Sequence, residues 1–175
     1  MQATLTDHAP RIQYTSAAPK AIRAFLGLSR FTNECGLEHS LLLLVKIRAS
    51  YLNGCAYCVD MHTKDARAAG ESEQRLYAVP VWRETPFFTP RERAALAWTD
   101  VVTEIGRDGV SDELFAEARE EFGEEELVNL TLAVIVINGW NRLAISFRAA
   151  PIGSYVAGSA AKLTPETLAE ALPGR

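Results

Sequence analysis

The chain has 175 residues, 48% of them apolar, which is enough to fill the core of one domain. Its formal net charge of -4 and pI near 5.4 supply no basic footprint for nucleic acid or anionic lipid. The opening MQATLTDHAPRIQYT lacks the basic-then-apolar order of a signal peptide, and the longest unbroken apolar run, LAVIVI at 132–137, is too short to cross a bilayer. A cytoplasmic protein with no membrane and no nucleic-acid partner is expected.

In chain order the patterns are helical, and the expected class is all-α, one domain over 1–175. PKAIRAFLGLSRFTNEC (19–35) places Ile22, Phe25, Leu26, Leu28 and Phe31 at helical spacing behind Pro19, and Gly36 stops it. LEHSLLLLVKIRASYLNG (37–54) is apolar around most of its circumference from Leu41 to Val45 and ends at Asn53-Gly54, so it reads as a buried helix. A third helix starts near Cys55 and closes at Gly70, and Ser72-Glu73 opens a short fourth.

Beyond Pro80 and Pro86, TPRERAALAWTDVVTEIGRDG (89–109) has Thr89 as cap, Pro90 in the first turn and Glu92 in the capping-box position. SDELFAEAREEFG (111–123) repeats that grammar, with Ser111 as cap and Gly123 as stop. The longest helix spans 124–150, acidic at its start and basic late, with Gly139 as a possible bend. From Pro151 onward the composition suggests a loosely held tail containing one short helix, TPETLAEAL at 164–172. The dipeptide NG recurs at 53–54 and 138–139, a weak repeat.

Chemistry concentrates in NGCAYCVDMHTKDAR (53–67), where two of the three cysteines and one of the three histidines fall between Cys55 and His62. On a helix, Cys55, Cys58 and His62 share one face, and the helix start favours thiolate over thiol. The spacing suits an attacking thiolate, a second thiol that resolves, and a histidine that pairs with the thiolate or moves its proton. Two plainer readings stand beside it: small apolar cysteines with a core histidine, and a structural zinc site. Zinc wants four ligands, three on one helical face cannot surround it, and His8 and His39 lack ligand spacing, so no metal is expected. Cys35 reads as structural. Asn138, Asn141 and Arg142 are polar on an otherwise apolar helix and need partners, on the cysteine helix or across subunits. Trp140 is a candidate pocket aromatic.

From about Gly36 to Phe147 the chain resembles the AhpD-like alkylhydroperoxidases of the carboxymuconolactone decarboxylase superfamily, most specifically at NGCxYCxxMHTxxAR. The resemblance implies a helical subunit in a homo-oligomer, trimer or hexamer. It also implies reduction of organic hydroperoxides without metal, haem or flavin, and re-reduction by a dithiol, thioredoxin-like or lipoylated donor. It makes Cys58 the peroxidatic cysteine, Cys55 the resolving one and His62 the motif histidine. Two positions depart from the family. The relay glutamate twelve residues before the first cysteine is Leu43, and the relay histidine before the second cysteine is Tyr57. Glu38 and Glu34 cannot be phased onto the missing carboxylate's site. Three outcomes are open: weak turnover, a proton carried by Tyr57, Asp60 or water, or a non-catalytic oligomer that has kept the fold.

Overall fold

The computed structural model describes residues 10–148 and 152–160. Eight α-helices follow one another: α1 Tyr14–Ala17, α2 Pro19–Asn33, α3 His39–Leu52, α4 Ala56–Ala68, α5 Glu73–Ala78, α6 Pro90–Thr103, α7 Asp112–Glu121 and α8 Glu124–Phe147, with a 3₁₀ segment Val79–Glu84 between α5 and α6. No strand forms among the described residues. The expected helices stand within a few residues of their sequence limits, and only α1 was not anticipated. The helix expected at 164–172 lies outside the described residues.

Local chemistry sets these boundaries. Thr89 and Glu92 exchange the reciprocal bonds of a capping box at α6. Ser72 and Ser111 each accept a backbone amide at the starts of α5 and α7. At the end of α3 the Gly54 amide donates to the Tyr51 carbonyl at 3.1 Å and the Cys55 amide to the Ser50 carbonyl at 2.9 Å, a Schellman closure that needs the left-handed φ of +68° at Gly54. Cys55 is then also the N-cap of α4. One residue thus closes one helix and opens the next.

Helix α3 is the central element, packed against α4, α6 and α8. Leu41, Leu42 and Val45 join Trp98, Phe122, Leu130 and Val134 in one core cluster, while Leu43, Leu44 and Ile47 join Ala66, Leu76, Val79, Trp82 and Leu96 in another. Leucines all around the helix are therefore consumed inside the subunit. The helix 37–54 is thus buried as its pattern indicates, and within 132–137 only Ile135 is strongly exposed. As a whole, α8 is long and apolar enough to cross a membrane, which the six-residue run alone did not suggest, but it packs against α2, α3 and α6.

The segment at 152–160 is not loose. Lys64 donates to the carbonyls of Gly153 and Tyr155, and the buried Tyr155 hydroxyl donates to the Asp65 carboxylate at 2.9 Å. Those bonds strap it along α4. At the other end, the Arg11 amide donates to the Phe147 carbonyl at 2.9 Å and Tyr14 meets the Phe147 ring.

Gly139 does not serve as a bend. A methyl group there would lie 2.4 Å from Cζ of Phe25, whose ring is braced by Trp140 at 4.7 Å between centroids. The glycine exists to let α2 approach α8. Gly139→Ala should therefore lose stability, the overpacking cost of roughly 1–3 kcal/mol exceeding the roughly 1 kcal/mol that alanine contributes in a helix. In chemical denaturation, Phe25→Leu should recover most of that loss in the double variant; an additive double variant would refute the contact.

Candidate redox site

The thiol pair sits where α3, α4 and α8 converge. Cys55 and Cys58 are both free and buried, their sulfurs 2.7 Å apart. That is a little beyond the roughly 2.0 Å of a disulfide bond, so the pair is placed to oxidise without rearranging α4.

The two sulfurs differ electrically. The Cys55 thiol is lowered to about 7, chiefly by a hydrogen bond from the Cys58 side chain; burial opposes this, and the backbone amides of Cys58 and Tyr57 and the Asn141 side chain reinforce it. The Cys58 thiol is raised by its bond to Cys55, by burial and by the charge on Cys55. The two sulfurs share one proton, and the N-cap position of Cys55 favours its thiolate.

Three side-chain amides hold this arrangement. Asn53 Nδ2 lies 2.9 Å from the Oδ1 atoms of both Asn138 and Asn141. Asn141, wholly buried, donates to Ser50 Oγ at 3.1 Å, and Asn138 donates to Thr103 Oγ1 at 3.0 Å. Arg142 donates to the Asn138 carbonyl and Oδ1. Asn138 and Asn141 thus bond to the end of α3 that leads into Cys55 and to Thr103 of α6, while Arg142 bonds back onto Asn138 within α8. The two NG asparagines, weak as a repeat, meet in space.

His62 does not join the thiols. It lies on the buried face of α4 between Cys58 and Ala66, yet neither ring nitrogen has a hydrogen-bond partner among the described residues. Burial, aided by the Lys46 charge, pushes it down to about 3, so it is neutral at pH 7 and forms no imidazolium–thiolate pair. Leu43 is buried beside Ala66, one turn further along the same face of α4, and lines a cavity of about 150 Å³ with Ser40, Leu44, Ala66, Ala69, Gly70 and Glu71. Neither upstream glutamate takes over: Glu38 pairs with Arg91 and Glu34 with Arg30. Asp60 is tied to Lys64 at 2.9 Å.

A second cavity of about 150 Å³ opens beside the thiols, lined by Cys55, Ala56, Tyr57, Ala144, Ile145, Arg148 and Ile152. Tyr57 therefore borders the site. Trp140 does not, which corrects its place among pocket candidates: it fills the α2–α8 contact, with Nε1 donating to Ser29 Oγ at 3.3 Å. Arg142 is likewise absent from the lining. Sequence reasoning missed Tyr14, which is pushed up to about 12 by burial and then by the neighbouring Tyr57, Cys58 and Cys55. Nothing in its local pattern marks a contact spanning some forty residues. Cys35 donates to the Thr32 carbonyl, away from the pair. No group of three or more metal-ligating side chains occurs among the described residues.

The buried, neutral His62 has a consequence for stability. Its folded pKa lies below its unfolded value near 6.5, so the unfolded state binds the proton more readily and stability falls as pH drops from about 6.5 toward 3. The slope from this group approaches roughly 1.4 kcal/mol per pH unit. Denaturant midpoints for the reduced protein at pH 7 and pH 4.5 should converge in His62→Phe, which keeps the ring and removes the titration. An unchanged acid loss in that variant would exclude His62 as the cause.

Residues 17–101 match the carboxymuconolactone decarboxylase family. An uncharacterized Bacillus subtilis protein, YdfG, is 40% identical over 136 residues, spanning 78% of this chain and 92% of its own length. Among solved structures, an Agrobacterium tumefaciens protein of unknown function, provisionally named an antioxidant defence protein AhpD, is 46% identical. It superimposes with a TM-score of 0.78, covering 81% of this chain and 97% of its own. A peroxidase-related protein from Ralstonia eutropha with an alkylhydroperoxidase AhpD core shares the fold at 22% identity and a TM-score of 0.67, over 78% and 73% of the two chains. With the CxxC pair opening α4 of an all-helical subunit, the chain belongs to the carboxymuconolactone decarboxylase family, among its AhpD-like members.

Proposed function

We propose that this protein is a thiol-dependent peroxidase that reduces organic hydroperoxides through a dithiol–disulfide cycle of Cys55 and Cys58. The observation that carries the reading is the pair of free sulfurs 2.7 Å apart at the start of α4, one of them favoured as thiolate. In the cycle one sulfur attacks the hydroperoxide, the O–O bond breaks, the alcohol leaves and a sulfenic acid forms. The second sulfur displaces water to give the disulfide, and an external dithiol, thioredoxin-like or lipoylated, restores both thiols. The scheme uses no metal, haem or flavin. We place it in the cytoplasm, where such donors keep thiols reduced, and in a homo-oligomer, trimer or hexamer, in which exposed Phe31 of α2 and Val128 and Ile135 of α8 would be covered.

A second reading has a specific observation in its favour. Leu43 fills the relay position and His62 is without a partner, which suits an oligomer of the same fold with little or no turnover.

Cumene hydroperoxide consumption against dithiothreitol, dihydrolipoamide and a thioredoxin system separates the two. The peroxidase should turn over with at least one donor, and peroxide should remove two of its three thiols reversibly. A chain carrying both Cys55→Ser and Cys58→Ser should do neither. Absence of turnover with every donor would establish the second reading. Light scattering at micromolar concentration should give a multiple of the 19.2 kDa subunit mass.

Leu43→Glu tests the missing relay. A carboxylate beside α4 should raise the His62 pKa, read by NMR titration. Well-placed acid–base groups contribute on the order of 100-fold or more, and a grafted one should reach about 10-fold, without its supporting hydrogen bonds. A folded variant with a shifted histidine but no faster turnover would show that His62 has no part in the reaction.

A further inference from the structure

The cavity beside the thiols has one cationic side chain in its wall. Arg148 lines it together with Cys55 and Tyr57, and the rest of the wall is aliphatic: Ala56, Ala144, Ile145 and Ile152. Ile145 and Ile152 are 46% and 58% exposed, so the apolar wall continues out to solvent. No Asp or Glu lines the cavity to compete for the guanidinium there.

Arg148 is held on this wall at a conformational cost. It closes α8, its amide donating to the carbonyl of Ala144, and its φ of +50° and ψ of +56° are left-handed. A Cβ disfavours that conformation, and at every other left-handed position among the described residues the chain has glycine: Gly36, Gly54, Gly70, Gly109, Gly153 and Gly158. A cation at a helix C-terminus also suits the macrodipole, but Arg11 already supplies one, its guanidinium donating to the Ser146 carbonyl. Strain carried by a single charged residue at the wall of a reactive pocket points to a ligand for that side chain.

A guanidinium is a fixed cation whose parallel N–H groups match the two oxygens of a carboxylate. We propose that Arg148 is a specificity-determining residue that selects hydroperoxides bearing a carboxylate, with the hydrocarbon between the two groups lying against Ile145 and Ile152. The inference rests on the peroxidase reading, names the substrate class of that site, and holds whichever sulfur attacks. The cycle itself is unchanged. The dithiol gives up two electrons and two protons, the O–O bond breaks, one oxygen leaves as water, and the other stays on carbon as an alcohol that keeps its carboxylate.

A matched pair of probes tests the selection. Cumene hydroperoxide bearing a para-carboxylate and the methyl ester of the same compound share one reacting group and differ by one charge. In the wild type kcat/KM for the acid should exceed that for the ester by about tenfold, and the ratio should fall as salt is added. Arg148→Gly suits the left-handed backbone and removes the guanidinium, so its denaturant midpoint should stand at or above that of the wild type while the ratio drops to about 1. Arg148→Lys should keep part of the preference, and Arg148→Glu should turn it toward the ester. The ratio is the readout because a disturbed α8 terminus would slow both probes alike.

Equal rates for acid and ester in the wild type, or a preference that survives in Arg148→Gly, overturn the inference and leave the peroxidase reading intact. If the wild type turns over neither probe with any donor, that reading fails instead. Anion binding is then decided with para-isopropylbenzoate, which has no peroxide to react. Protection of Cys55 from iodoacetamide by this anion in the wild type but not in Arg148→Gly upholds the Arg148 site, and equal or absent protection refutes it.

Discussion

The thiol centre depends on one chain reversal, the turn at Asn53-Gly54. A left-handed glycine lets α3 close on its own carbonyls, and the residue that completes the closure, Cys55, begins α4. Any side chain at Gly54 would pay the left-handed penalty of about 1–2 kcal/mol and shift the register of the sulfur. The turn is locked from α8 by Asn138 and Asn141, buried amides that would each be costly without partners. Stability and site geometry therefore share the same hydrogen bonds. A change to one of these asparagines acts on both.

Dipoles contribute much of the environment of the thiol pair. Leu43 stands in place of a carboxylate, and His62 is neutral. Amides at the start of α4, the Asn141 side chain and the Cys58 S–H favour the Cys55 thiolate. Fixed dipoles in a dry site need no reorganisation when charge moves between two sulfurs, which is the electrostatic advantage of a preorganised pocket. They favour charge at the Cys55 end of the pair, because Cys55 is the N-cap of α4. A histidine relay would instead hand the proton along α4 toward residue 43, where this chain has only hydrocarbon.

Most of the helical frame was legible in the sequence because its boundaries are set by local chemistry. Thr89 with Glu92, Ser111 with its following turn, and Asn53-Gly54 each act within about four residues. The clustering of Cys55, Cys58 and His62 was equally plain, since it lies within one stretch of helix. What the pattern could not give was the direction in which polar groups spend their bonds. Trp140 looked like a pocket aromatic and is a packing element against Phe25. His62 shares a helical face with the thiols and still finds no hydrogen-bond partner among the described residues. Tyr14 approaches them from a four-residue helix with no amphipathic signal of its own. Such choices are made by tertiary contacts between segments tens of residues apart, and periodicity carries no trace of them.

Two terminal segments are fastened to the helices around the centre. Arg11 and Tyr14 fasten the N-terminal stretch to the end of α8, and Lys64 and Asp65 fasten residues 153–158 along α4. Ile152, at the edge of that strap, lines the same cavity as Cys55. Lys64 and Asp65 lie on the same helix whose first turn follows Cys55, whereas Arg11 and Tyr14 hold to the end of α8. Helix α4 therefore does two jobs at once: its inner face carries the thiol pair, and Lys64 and Asp65 on its other side anchor the strap that reaches the cavity wall at Ile152. A change in the strap would alter that wall.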